Sequence, residues 1–210
     1  MNSVFKVTPL ENKKLQGYKD KSLKELNEFF KIRWVYNTPK IFVVDDRETI
    51  NLLRGKETEP WVVGWSSGKT GIFILNPDNI SKESSHDGEK YNIEHLVKHE
   101  LAHALFQINF GSSKFMWINE GVSIYLAGQL DKYPMPSEFE GFLDGNKVYQ
   151  ESGSAIMLLM DKYRKDKLFE FFKKQNGIED AKGLQSLFKD IFGKELTYEL
   201  FNTLRDESYN

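Results

Sequence analysis

The sequence predicts an α+β protein with a small mixed or antiparallel sheet near its N-terminus and a mainly helical second half. Three short runs of β-branched and aromatic residues, typical of strands, lie at residues 40–44, 61–66 and 70–75. From residue 89 onward, apolar residues recur at helical spacing in segments that glycine and proline separate. We therefore expect an N-terminal α/β lobe over residues 1–110 and a helical lobe over residues 111–210, which together form one unit.

The composition excludes several classes of protein. The 29 basic and 31 acidic residues nearly cancel, so no basic stripe points to nucleic acid. No apolar run approaches the ~18 residues that a membrane span needs, and residues 1–17 lack the apolar segment of a signal peptide. The absence of cysteine excludes disulfides and thiolate metal sites. We expect a cytoplasmic protein; secretion stays open if a signal peptide has been removed, and the oligomeric state stays open as well.

Capping and turn residues set the expected boundaries in the N-terminal lobe. Ser22 and Glu25 match a capping box for a first helix. Asp45 and Asp46 can cap a short helix that Gly55 ends. Besides the three strands, the expected elements are a helix at 20–36, a helix at 47–54 and a polar loop at 79–88.

Glycine and proline divide the rest of the chain into helices. Gly111 is expected to end the first of them, and a loop rich in proline, glycine and acidic residues covers 131–146. The shorter helices near the end are punctuated by Gly177 and Gly193. The expected helices are 89–110, 114–130, 148–164, 168–175, 181–192 and 197–205.

The first of these helices carries the sequence His99-Glu100-Leu101-Ala102-His103. Histidines four residues apart lie on one helix face with Cβ atoms roughly 5–6 Å apart. That spacing lets both imidazoles bind one metal ion at about 2.0–2.1 Å. Glu100 projects about 100° further round the helix. It is therefore poorly placed as a ligand and well placed as a general base that reaches a water molecule from the side.

Glu120 is the best candidate for a third metal ligand, because a catalytic zinc normally has three protein ligands and one open position. The midpoint between His103 and Glu120 falls at Gly111, where an αα-hairpin would bring the two residues level on adjacent helices. His95 competes, since it lies one further turn back and could line the same site. His86 falls in the predicted loop, where a solvated histidine is the simplest interpretation.

A second block, Trp117-Ile118-Asn119-Glu120-Gly121, follows residues 99–103 in the chain. Together the two blocks resemble the gluzincins, the clan of thermolysin-like and aminopeptidase-like zinc peptidases. Weaker similarity lies at residues 149–159, which resemble the segment that supplies a transition-state tyrosine, and at residues 187–193. The resemblance spans roughly residues 90–205. It implies a zincin-like fold with the metal-binding helix at the cleft, one Zn²⁺ per chain held by His99, His103 and Glu120, Glu100 as general base and Tyr149 as a further catalytic residue.

The sequence also departs from the gluzincin pattern. Thermolysin-like members carry an acidic residue four positions after the glutamate ligand, where this chain has Ile124. The aminopeptidase branch has a strand that binds a free α-amine, and no such stretch is found here. Tyr149 and Gly153 are spaced one residue wider than in that branch. These differences leave open what orients the imidazoles and whether Tyr149 is a catalytic or a structural residue.

We expect zinc-dependent hydrolysis of peptide bonds by a zinc-activated water, with Glu100 as the base, Tyr149 or His95 as a donor to the oxyanion, and an endo- or oligopeptidase specificity. The expected partners are peptide or protein substrates that lie along the strand at Gly71–Ile74. Trp65, Phe73, Phe115 and Trp117 would line an apolar pocket or belong to the core. The open alternatives are a catalytically silent zincin-fold module that binds or regulates a partner, and a hydrolase of non-peptide amides.

Overall fold

The protein is described by a computed structural model over residues 4–209. Within these residues the chain forms eight α-helices and one three-stranded mixed sheet, which confirms the α+β class. Contacts divide the chain into two compact units, one up to Ala104 and one from Leu105 onward. None of the helices in the described part of the chain is long and apolar enough to span a membrane.

Helix α1, Lys13–Phe30, begins seven residues before the predicted start at residue 20 and ends six residues before the predicted end at residue 36. Its N-cap is Asn12, whose side chain accepts a hydrogen bond from the Leu15 N–H at 3.0 Å. Ser22, the predicted cap, is a buried residue in the helix interior. The predicted start was wrong because asparagine caps as well as serine does, and the polar first two turns concealed the helical period.

The sheet contains β1 (Lys40–Val44), β2 (Gly64–Ser67) and β3 (Gly71–Leu75) in the order β1-β3-β2. β1 is parallel to β3, and β2 is antiparallel to it. Because both edges of β3 are already paired, a peptide cannot add to that strand. Our expectation that a substrate lies along Gly71–Ile74 is therefore wrong, and β1 and β2 are the strands at the edges.

Side chains alternate between the two faces of the sheet. On one face, Ile72 and Ile74 are fully buried. On the other face the ring of Phe73 stacks between Phe42 and Trp65, with centroid distances of 4.7 Å on both sides. These three residues are paired across the strands, so their rings form a continuous aromatic stack over the sheet.

Helix α2, Arg47–Arg54, has the predicted bounds, with Asp46 as its N-cap and Gly55 at its C-terminal end. The predicted loop at 79–88 instead begins with a short helix, α3, Ile80–Glu83. Arg47 joins this region to the segment before β2. Its guanidinium donates to the carbonyls of Glu83, Pro60 and Val62 at 2.6–3.1 Å and so fixes the chain that leads into the edge strand.

Helix α4, Ile93–Phe110, is the helix that carries the histidines. Asn92 caps it, because its side chain accepts the His95 N–H and its carbonyl accepts the Leu96 N–H. Two ion pairs join α4 to α1: Lys21 with Glu94 at 2.6 Å, and Lys98 with Glu25 at 2.5 Å. Gly111 ends the helix as predicted, with a φ of +80° that a residue with a side chain rarely adopts.

The second unit is helical. Its helices are α5 (Met116–Ala127), α6 (Val148–Lys174), α7 (Ala181–Phe192) and α8 (Tyr198–Ser208).

Small residues let α5 and α6 approach closely in this unit. A Cβ on Gly121 would lie 2.6 Å from the Ser152 carbonyl oxygen, and a Cβ on Gly153 would collide with the side chain of Ile124. These two glycines therefore set the distance between the two helices.

The expected end of a helix at residue 164 agrees with the structure, because Arg164 has a non-helical φ of +64° within the run Val148–Lys174. The second helix follows this kink directly, without the expected gap at residues 165–167. One contact of α6 was not predicted. Near the start of α6, the buried Glu151 accepts hydrogen bonds from the N–H groups of Glu140, Gly141 and Phe142 at 3.1–3.2 Å. This carboxylate fixes the segment that leads into the helix.

Candidate metal centre

His99 and His103 meet on one face of α4, as their spacing predicts. Their Nε2 atoms are 3.1 Å apart, and the two ring planes make an angle of 80°. The side chain of His99 is buried and that of His103 is half-buried. The helix therefore directs two ring nitrogens at one point beside its surface.

This arrangement suits a metal ion. Two nitrogen ligands about 2.05 Å from a tetrahedral ion stand about 3.3 Å apart, close to the observed separation. The same separation also allows a hydrogen bond, provided that one of the Nε2 atoms carries a proton. If both nitrogens carried only lone pairs they would repel each other, and a cation between them removes that repulsion.

Glu120 completes a set of three possible ligands. Within residues 4–209, His99, His103 and Glu120 form a group whose ligand atoms all lie within 4.8 Å of one another. Two imidazoles and one carboxylate form a donor set that zinc accepts. These are the three residues that the sequence proposed.

The other two histidines stand outside this set. His95 is half-buried, and its main-chain N–H donates to the Asn92 side chain at the start of α4. His86 is half-buried, with its Nε2 atom 2.9 Å from the carbonyl oxygen of Trp61 and its ring 4.6 Å from that of Tyr91. His86 therefore lies in a loop, as predicted, but it is half-buried beside Trp61 and Tyr91 and not simply solvated.

Glu100 is buried between α4 and the edge of the sheet. Only 5% of the residue is exposed. A Cβ added to Gly64, the first residue of β2, would lie 3.1 Å from Glu100 Oε1 and 2.9 Å from Leu96 Cδ1. The carboxylate is thus next to the main chain of an edge strand. A buried carboxylate is costly unless hydrogen bonds or a cation compensate it, and a metal ion nearby would supply such compensation.

Sequence reasoning missed Gly64. The available signal was a glycine inside a predicted strand, which often marks a close approach of the backbone to another group. In this chain the group that approaches is the side chain of Glu100.

Tyr149 lies in the first turn of α6 and is half-buried. Its ring centroid is 6.4 Å from that of Tyr133. Ser152, one turn further along α6, contacts α5 at Gly121, the residue after Glu120. The role of Tyr149 stays a prediction.

Ile124 stands where thermolysin-like peptidases have an acidic residue. It is fully buried, and its side chain fills the space beside Gly153 of α6. An acidic side chain at this position would place a charge in the α5–α6 contact, so this chain uses an apolar contact there. Tyr125 follows it, and burial, reinforced by the charge of Asp161, raises the pKa of its phenol.

Three of the aromatic residues considered for a pocket beside the metal lie elsewhere. Phe73 belongs to the aromatic stack with Phe42 and Trp65. Trp117 is a core residue that packs on Phe142 and Phe171. Trp65 points away from the face of the sheet on which Gly64 meets Glu100, because neighbouring residues of a strand point to opposite faces.

A scan of the chain against models of protein families found no match, and searches of curated proteins and of solved structures found none either.

Proposed function

We propose that this protein is a zinc-dependent peptidase of the gluzincin type that cleaves peptide bonds inside a chain. The observation that carries the proposal is the convergence of ligand atoms from His99, His103 and Glu120 within 4.8 Å, with the buried Glu100 next to His99 in the same helix turn. The sequence blocks 99–103 and 117–121, which resemble the gluzincins, support the same assignment.

The three ligand residues would hold one zinc ion and leave one coordination position open. Zinc in such a site supplies Lewis acidity and lowers the pKa of water toward about 7. Two neutral imidazoles and one carboxylate leave a net positive charge at the ion, which favours the build-up of negative charge on a substrate carbonyl oxygen.

Glu100 acts as the general base. Its carboxylate accepts the proton of the attacking water and then delivers it to the amine that leaves. Burial removes competing solvent from the carboxylate, and helix α4 fixes its direction relative to the two histidines. A site that used zinc only for structure would have no need of a base at this position, which argues against a catalytically silent module.

Strand β2 binds the substrate in this proposal. It is an edge strand, and its first residue lies against Glu100. An extended peptide that adds to this edge gains main-chain hydrogen bonds. Main-chain pairing then places the backbone of the peptide beside the Glu100 carboxylate. The scissile bond therefore comes within reach of the base whatever side chains the peptide carries.

A donor that stabilises the oxyanion is the remaining requirement. Tyr149 is our candidate, because its hydroxyl lies on the helix that packs against α5, the helix of Glu120. The Y149F variant, which removes only this hydroxyl, tests its contribution.

The experiment that tests the function compares two forms of the same peptides after the protein has been loaded with zinc. One form has a free N-terminus, and the other is N-acetylated and C-amidated; mass spectrometry identifies the products. An endopeptidase cleaves both forms at the same internal bonds, because no group in the proposed site requires a free amine. Stepwise loss of single N-terminal residues from the free form alone would refute the assignment.

A further inference from the structure

The outer edge of β2 has a definite hydrogen-bonding pattern. The N–H of Leu75 donates to the carbonyl of Val63 at 2.8 Å, so Val63 and Leu75 form a hydrogen-bonded pair. In an antiparallel ladder, hydrogen-bonded and non-hydrogen-bonded pairs alternate. Trp65 therefore directs its own N–H and carbonyl toward Phe73 of β3, whereas Gly64 and Ser66 direct theirs toward the outer edge.

This pattern determines how an added antiparallel strand would be paired. Its main chain would bond to Gly64 and Ser66, and one of its residues would face Trp65 across a non-hydrogen-bonded pair. Such pairs have the shorter Cα distance, about 4.5 Å, and bring the side chains closest together. That side chain would project on the Trp65 face of the sheet, away from Glu100.

The aromatic stack on that face runs toward the same edge. The rings of Phe42, Phe73 and Trp65 stack in order across β1, β3 and β2, and the Phe73 and Trp65 rings are 2° from parallel. The 4.7 Å ring spacing equals the spacing of neighbouring strands, about 4.7–4.9 Å. A planar side chain on a fourth strand would therefore be the next ring of the stack.

A cation lies at the same end of the stack. The guanidinium carbon of Arg54, an exposed residue at the end of α2, is 5.7 Å from the centroid of the Trp65 ring. Arginine stacks on aromatic faces, and its long side chain can move outward and cover a ring inserted beside the tryptophan. Both features favour an aromatic side chain over an aliphatic one.

We propose that Trp65, with Arg54, forms a subsite that selects an aromatic side chain on the substrate residue paired with Trp65 at the edge of β2. This inference rests on the proposed function, because the occupant is the peptide that the site would cleave. The substrate class is thus extended peptides with a Phe, Tyr or Trp at one fixed distance from the cleaved bond.

Peptide binding to the zinc-loaded E100Q variant tests the subsite without catalysis. The probes are blocked octapeptides of alternating serine and alanine, in which one phenylalanine is moved through the eight positions, and a matching series with leucine. Isothermal titration calorimetry gives each Kd. At one position we expect phenylalanine to bind about two- to tenfold more tightly than leucine, the range that aromatic stacking provides.

Variants of the stack identify the residue responsible. In the E100Q background, W65L and W65V should abolish the preference, and W65F should retain most of it because a ring remains. F42L is the matched control, since it shortens the same stack at the end that is away from the outer edge of β2. Circular dichroism verifies folding, and either of the two aliphatic variants suffices if the other does not fold.

The outcomes separate the subsite from the function. The proposed subsite is overturned if the preference for phenylalanine over leucine survives in W65L or W65V. It is also overturned if F42L removes the preference as fully as these variants do. Absence of any peptide binding to E100Q overturns it as well. Cleavage of the probes by the wild-type protein without a phenylalanine preference contradicts the subsite alone, whereas failure of zinc-loaded wild-type protein to cleave any probe contradicts the proposed function.

Discussion

The main chain of Gly64 lies against the side chain of Glu100, so that a Cβ at position 64 would stand 3.1 Å from the Oε1 atom. The same Cβ would approach Leu96 Cδ1 to 2.9 Å. The edge strand and the proposed base thus meet where a glycine leaves room for the carboxylate. A methyl group at position 64 would require the side chains of Leu96 and Glu100 to shift.

We expect G64A to lower kcat/KM by about 10- to 100-fold, since a displacement of about 1 Å near the reacting groups can cost that much. The zinc content should stay at the wild-type level, because the three atoms nearest to a Cβ at position 64 belong to Leu96, Glu100 and Phe73, none of which is a proposed ligand. G17A is the control: Gly17 is an exposed residue of α1 with open space around its Cα. Wild-type activity in G64A would show that the contact is unimportant.

Removal of the third ligand should weaken zinc binding. The loss of a residue that only hydrogen-bonds to a metal ligand typically weakens metal binding by about 10- to 100-fold. The loss of a ligand itself should cost more, so we expect E120A to raise the Kd for zinc by at least about 100-fold. Competition with a chromophoric chelator measures it. E199A, which changes an exposed glutamate at the start of α8, should bind zinc as the wild-type protein does. Equal affinities in the two variants would remove Glu120 from the site.

The hydroxyl of Tyr149 should act on the transition state. We expect Y149F to lower kcat by on the order of 100-fold with little change in KM, as the loss of an oxyanion donor does. Y133F is a matched control, because it removes the hydroxyl of the neighbouring ring. If kcat is unchanged in Y149F, or falls equally in both variants, Tyr149 is a structural residue.

The ion pair between Glu25 and Lys98 should stabilise the protein except at acid pH. The hydrogen bond from Lys98 lowers the pKa of the Glu25 carboxyl. The ion pair therefore stabilises the folded protein fully above the ordinary pKa of the carboxyl near 4.5. This stabilisation is lost as the pH falls through the lowered pKa of the folded state. The Glu25 side chain is 42% exposed, so we expect E25Q to cost less than about 1 kcal/mol at pH 7.

Thermal unfolding as a function of pH measures this effect, with E28Q on the same helix as control. The difference between E25Q and the wild-type protein should be present at pH 7 and disappear near pH 3. A difference that persists at the acid end would mean that packing, and not charge, is responsible.

Local signals predicted several elements well. Strand β1, helix α2 and helix α7 have the predicted bounds, because Asp46 and Asp180 cap the two helices and Gly55 and Gly193 end them. The capping box at Ser22 misled the prediction of α1, because the same residues also fit the interior of a helix. Local sequence alone cannot separate the two cases.

The pairing of distant β-strands could not be predicted from the sequence. The position of β3 at the centre of the sheet depends on β1 crossing over α2 and β2 to pair with it, and no residue of the segment 71–75 encodes that order. The convergence of His99 and His103 was predictable, because their spacing follows from helical geometry. The contact of Gly64 with Glu100 was not, since it joins residues 36 positions apart.

The central claim is that Glu100 is the base of a zinc site, and one variant tests it most directly. E100Q keeps the size of the side chain but cannot accept a proton. Zinc content by elemental analysis and cleavage of the blocked peptides are measured on E100Q, on the wild-type protein and on E94Q, a control on the same helix. We predict one zinc per chain in all three, wild-type cleavage in E94Q, and a rate about 10²- to 10⁴-fold lower in E100Q. Cleavage by zinc-loaded E100Q within a few-fold of wild type, or a wild-type protein that binds no zinc, would contradict the account.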